Sequence, residues 1–109
     1  MATTYKVLGQ VQPSANTLTT LYTVPSATQT VISTLVIANL GGNATTYKIA
    51  IRPDGATIAN KHYIAYDVSM AALDSITLTL GITLDASDVI SVESFSGLVS
   101  FNLFGSEIA

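Results

Sequence analysis

The amino-acid sequence predicts an all-β fold: one antiparallel β-sandwich of about eight strands, forming a single domain over residues 1–109. Three observations carry this reading. Apolar residues recur with a period of two, the segments concerned are rich in β-branched and aromatic residues, and short clusters of turn-forming residues separate them.

The elements follow in chain order. Tyr5 to Val11 and Leu18 to Val24 are the first two strand candidates, parted by Gln12-Pro13-Ser14-Ala15-Asn16, where proline and asparagine favour a turn. Thr30 to Asn39 follows Pro25-Ser26-Ala27. After Leu40-Gly41-Gly42-Asn43, the large apolar Tyr47, Ile49 and Ile51 alternate with Thr46, Lys48, Ala50 and Arg52, so one face of that strand is greasy. Pro53-Asp54-Gly55 ends it, and Tyr63 to Tyr66 forms a short fifth strand. Asp67 to Asp74 reads as a turn region, in which Ser69-Met70-Ala71-Ala72-Leu73 has the composition of a helical turn too short to stand as a helix. Ile76, Leu78 and Leu80 then alternate with Ser75, Thr77 and Thr79. Asp85-Ala86-Ser87-Asp88 leads into Val89 to Ser94. Beyond Ser96-Gly97, Val99, Phe101 and Leu103 alternate with Ser100, Asn102 and Phe104. Alternation tells which face is inward but not which strand lies beside which, so an immunoglobulin-like sandwich and a jelly roll both satisfy the pattern.

Composition limits what such a domain can do. The 109 residues are 49% hydrophobic and only 10% charged, with one histidine, no cysteine and no tryptophan. Catalytic and metal centres gather several ionisable or soft ligands at one point, and this supply is thin, so no enzyme and no cofactor is expected. Seven acids against four bases give a net charge of -3, too few bases to neutralise a phosphate backbone, which argues against nucleic acid as a partner. Met1-Ala2-Thr3-Thr4-Tyr5-Lys6 lacks the apolar core of a secretion signal, and no apolar run approaches the roughly 20 residues that span a bilayer, so no membrane partner is expected. Scarce charge leaves a surface of threonine, serine, asparagine and small apolar groups, which costs little to dry. That is the composition of a subunit in an oligomer or larger assembly.

Structural roles account for the individual residues that could carry chemistry. His62 is the sole imidazole, and without a second histidine or a Gly-x-Ser-x-Gly elbow it supports neither a transition-metal site nor a serine hydrolase; an edge or interface role fits it better. The pairs Asp85/Asp88 and Asp67/Asp74 bracket turns, where carboxylates accept backbone N–H bonds more often than they hold Ca²⁺. Gly41-Gly42-Asn43 lacks the Lys-Ser/Thr of a phosphate loop. Tyr47, Tyr63 and Tyr66 invite a sugar-stacking reading, but Tyr63 and Tyr66 differ by an odd number, which in a regular strand sends them to opposite faces, so core or interface roles are expected for all three. The local concentration of Arg52, Asp54, Lys61, His62, Tyr63, Tyr66 and Asp67 marks the region where contacts between subunits are expected.

Four stretches carry a likeness to a known family: Leu18-Thr19-Thr20-Leu21-Tyr22-Thr23-Val24-Pro25; Lys61-His62-Tyr63-Ile64-Ala65-Tyr66-Asp67; Leu80-Gly81-Ile82-Thr83-Leu84 with Asp88-Val89-Ile90-Ser91-Val92; and Phe101-Asn102-Leu103-Phe104-Gly105-Ser106-Glu107. Together they resemble small virion structural proteins of tailed bacteriophages, notably cyanophages, over nearly the whole chain. The resemblance implies a structural role, such as a capsid decoration or cement protein forming a homotrimer on the particle exterior and contacting major capsid or tail proteins. The second reading it admits, behind that one, is an accessory module of the tail, baseplate or fibre that touches host surface glycans. It also implies synthesis in the host cytoplasm and release by lysis.

Overall fold

A computed structural model describes residues 2–109. Eight strands form in order: β1 (Thr3–Val11), β2 (Thr19–Thr23), β3 (Gln29–Asn39), β4 (Thr45–Arg52), β5 (Tyr63–Met70), β6 (Ser75–Leu84), β7 (Val89–Ser94) and β8 (Val99–Ile108). Two four-stranded sheets result, with strand orders β1-β8-β3-β6 and β2-β7-β4-β5. Every pairing is antiparallel. Only β4 and β5 are sequence neighbours within one sheet; every other connection crosses from sheet to sheet. This is the jelly-roll order, which decides between the two topologies that the alternation allowed.

The inward faces meet as the period-two pattern requires. Ile32, Leu35 and Ile37 of β3 and Val99, Phe101 and Leu103 of β8 are fully buried against Tyr47 and Ile49 of β4, Ile90 and Val92 of β7 and Leu21 of β2. Each such side chain contributes roughly 1.5–3 kcal/mol on leaving water, and this layer is what holds the two sheets together.

One boundary departs from expectation. Residues 69–73 form no helical turn: Ser69 and Met70 continue β5, and the turn begins only at Ala71. Met70 pairs with Thr45 and buries its side chain in the core at 2% exposure. That burial outweighs the helix propensity of Met-Ala-Ala-Leu. Asp67, expected as the start of a turn, lies inside β5 with φ of 52°. Both shifts trace to two bulges in this edge strand. Ala50 faces Tyr63 while Ile49 faces Ala65, which leaves Ile64 unpaired, and a second extra residue falls between Ala65 and Val68.

The loops are tied together at both ends. At one end the buried Asn39 amide donates to the carbonyls of Asn43 and Ala71 while its oxygen accepts from Gly41 N–H, joining the β3–β4 and β5–β6 loops. At the other, one carboxylate oxygen of Asp88 accepts from Asp54 N–H at 2.8 Å and the second from Asp85 N–H at 2.9 Å. Asp85 in turn accepts from Ala86 N–H. The turn aspartates at 85 and 88 therefore act as backbone caps.

Candidate functional site

The two outer faces of the sandwich differ in chemistry. On the β1-β8-β3-β6 sheet, register places Tyr5 and Val7 of β1 beside Ser106 and Phe104 of β8, and Val31 and Val36 of β3 beside Ser106 and Asn102. Thr77, Thr79 and Thr83 of β6 complete the outward positions. Tyr5 is 83% exposed and Val7 48%. Tyr5, Val31 and Phe104, with Lys6 at its edge, line a shallow depression on this side of the sheet. No outward position of this sheet carries a charge. Its only ionisable acid and base, Lys6 and Glu107, pair at 2.9 Å along the rim.

Glu107 belongs to a network that crosses between the sheets. The Tyr22 hydroxyl, on β2, donates to Glu107 Oε2 at 2.5 Å and lies 2.8 Å from the Thr30 hydroxyl of β3. Burial, followed by the adjacent carboxylate, pushes the Tyr22 phenol up to about 12. Bonds from Lys6 and then Tyr22 hold the Glu107 carboxyl below its ordinary value. Sequence reading missed this network. The one available signal was an acid placed in an otherwise apolar and hydroxylic terminal strand.

On the β2-β7-β4-β5 sheet, charge and aromatic groups gather outward. Lys48 of β4 sits opposite Glu93 of β7, 3.5 Å away, and donates to Asp67 at 2.6 Å. The Asp67 bond is the main cause that raises the Lys48 ammonium above its ordinary value. The same ammonium lies 4.8 Å from the centroid of the Tyr66 ring. Tyr66 meets Tyr63 edge to face, with ring centroids 4.9 Å apart and planes at 84°. The expected opposite phasing of these two tyrosines is therefore corrected: the unpaired Ile64 between them resets the alternation, so both rings lie on one side. Tyr47, by contrast, is a core residue at 3% exposure.

The residues expected at subunit contacts all lie on the β4–β5 connection or its flanks, yet they do different things. Arg52 is spent internally, donating to Ser91 Oγ and to the Ala56 carbonyl. Asp54 occupies a 3₁₀ turn at Pro53–Gly55 with φ of 55°, held by its own N–H on Asp88. His62 is buried at 7% exposure, and its Nδ1 accepts Ala59 N–H at 3.0 Å, which fixes the turn that launches β5. Lys61 is exposed and, with Ile51, Pro53, Ala56, His62 and Ile64, borders a groove beside the connection. Tyr63 and Tyr66, with Asn60, line a separate depression. No group of three or more His, Cys, Asp or Glu side chains among the described residues is placed to hold a metal ion. No helix among them is long and apolar enough to cross a membrane.

No family model matches the chain, and no curated protein does. Among solved structures, a chain in the structure of infectious bursal disease virus Gx strain is similar, at 12% sequence identity and a TM-score of 0.46. The alignment covers 97% of this chain and 31% of that one.

Proposed function

We propose that this chain is a structural subunit of a bacteriophage virion, a capsid decoration or cement protein that assembles as a closed homotrimer on the particle exterior and bridges neighbouring shell subunits. The observation that carries the reading is the charge-free outer face of the β1-β8-β3-β6 sheet. With strands about 4.8 Å apart and a rise of about 3.3 Å per residue, four strands of nine residues present on the order of 600 Å². A standard specific interface needs about 800 Å² per partner, so this face with its rim supplies most of one. Drying its outward positions removes no charge from water, and the ion pair on its rim, Lys6 with Glu107, is already matched, whereas burying even one unpaired ion costs several kcal/mol. The jelly-roll architecture is used by viral shells, and the sequence likeness to phage virion proteins points the same way. In this reading the chain does no chemistry. Its effect is by mass action, because a protein that binds only the assembled lattice stabilises it by RT ln(1 + [L]/Kd) at every site.

The test is to strip the protein from particles and follow genome release on heating, then add back wild type or the V31K/F104K double variant. Stripped particles should fail at lower temperature, and wild type but not the variant should restore resistance. Unchanged resistance after complete stripping would overturn the cementing role.

A further inference from the structure

We propose that the Tyr63–Tyr66 corner, closed by Asn60, is a binding site for a neutral saccharide, a function separate from lattice contact. Three features of the structure lead there. The bulge at Ile64 places both rings on one side, and their 84° interplanar angle makes an apolar corner with Asn60 at its edge. The depression measures about 310 Å³, at the small end of ligand pockets. Tyr66 stays 59% exposed although the Lys48 ammonium over its ring and the Tyr63 ring set edge to face with it hold its orientation. An aromatic held rigid yet uncovered loses little freedom when a ligand stacks on it.

The ligand class follows from the groups present. A pyranose ring has an apolar C–H face and a rim of hydroxyls. The tyrosines supply the matching apolar walls, while the Asn60 amide and the two phenolic hydroxyls supply both donors and acceptors at the rim. The base over Tyr66, Lys48, is already engaged by Asp67 and Glu93 and so offers no free charge to an anion. A ligand cation is disfavoured because Lys48 itself occupies the cation position over Tyr66. The site lies on the sheet opposite the charge-free face, across a sandwich whose thinnest Cα extent is 20 Å. Covering one face therefore leaves the other open, and several subunits on one particle would present their corners together, so weak single contacts add up by avidity.

The experiment uses the full chain on an array of neutral oligosaccharides, with thermal melting of each variant as the control for folding. Binding to at least one pyranose oligosaccharide is expected, and Tyr66→Ala and Asn60→Ala should each weaken it about tenfold or more without lowering the melting temperature. Phe104→Lys should leave binding per subunit intact, which separates this site from the lattice-docking reading. Should Tyr66→Ala fail to keep its fold, Tyr66→Leu, which keeps apolar bulk but removes the flat ring, should show the same loss. Absence of binding to every oligosaccharide overturns the proposal. So does binding indifferent to Tyr66 and Asn60, or preference for a trimethylammonium peptide over sugars.

Discussion

The two outer faces of this sandwich are built on equal numbers of strands yet obey opposite rules. The β1-β8-β3-β6 face is a field of threonine, serine, valine and aromatic groups without a formal charge, whereas the β2-β7-β4-β5 face sets Lys48 among Glu93, Asp67 and Tyr66. The edge strands differ in the same sense. β6 has one register shift, between Ile82 and Thr79, and carries threonine outward, while β5 has two and carries tyrosine and aspartate outward. A charged edge resists unwanted pairing with another sheet more than a neutral one does. The lesson is that two faces of one sandwich can differ in what they cost to dry: outward positions of one carry no formal charge, while the other carries Lys48, Asp67 and Glu93.

The largest expected effect comes from breaking that asymmetry. Placing two like charges on the neutral face, as V31K/F104K, should weaken self-association at least about 100-fold, because both ammonium groups would be dried without partners. Thr46→Lys, on the opposite outer face, should change association little. Sedimentation equilibrium of both variants checks the pair, and the reverse ranking would exchange the roles of the two faces.

Next in size is a backbone effect inside the neutral sheet. β8 passes the bulge at Ser33 of β3 at Gly105, where an added Cβ would strike the Val31 carbonyl. Gly105→Ala should cost about 1–3 kcal/mol in a urea titration. Gly42→Ala, in a turn where a Cβ meets nothing within 4 Å, serves as the neutral comparison.

The link between the sheets gives a smaller change with a pH signature. Tyr22→Phe removes the hydroxyl shared by Thr30 and Glu107 and should cost about 1 kcal/mol near neutrality. The folded state holds the Tyr22 proton more tightly than the unfolded chain, so wild-type stability from this group is complete below pH 10.0 and falls as pH rises towards about 12. Tyr22→Phe should flatten that alkaline limb. Glu107 acts in the opposite sense: its folded carboxyl is depressed, so its contribution exists above the ordinary carboxylate value and disappears as pH falls through the folded one. Glu107→Gln should flatten the acid limb. Melting temperatures across the pH range report both.

The smallest effect is expected on the wet face. Lys48→Met removes the bonds to Asp67 and Glu93, yet exposed ion pairs contribute at most about 1 kcal/mol, and the loss should shrink further in added salt.

Much of the fold was legible because period-two alternation with β-branched residues is a local signal: a strand lies at each of the eight places it marked, though β5 runs on to Met70, β6 to Leu84 and β8 to Ile108. Their order was not, since alternation carries no information about neighbours; the jelly roll emerges only when β1 finds β8 across the length of the chain. The β5 region misled for a local reason. An unpaired Ile64 and a left-handed Asp67 reset the phase, so counting residues between Tyr63 and Tyr66 gave the wrong face, and Met70 was read from its helix propensity although the core claimed it. The caps at Asp85 and Asp88 were readable because a turn aspartate bonds close by. The Tyr22–Glu107 bond, 85 residues apart in sequence, was not.

The central claim, that the neutral sheet face is buried when the protein assembles, beginning with its own homotrimer, is tested most directly by the light-scattering mass of the purified wild-type chain over a range of concentrations. The account predicts a closed multiple of the 11.4 kDa protomer, a trimer, which V31K/F104K reduces to a folded single chain. A wild-type mass that stays at one protomer at every concentration, or a double variant that keeps the assembled mass, would contradict it.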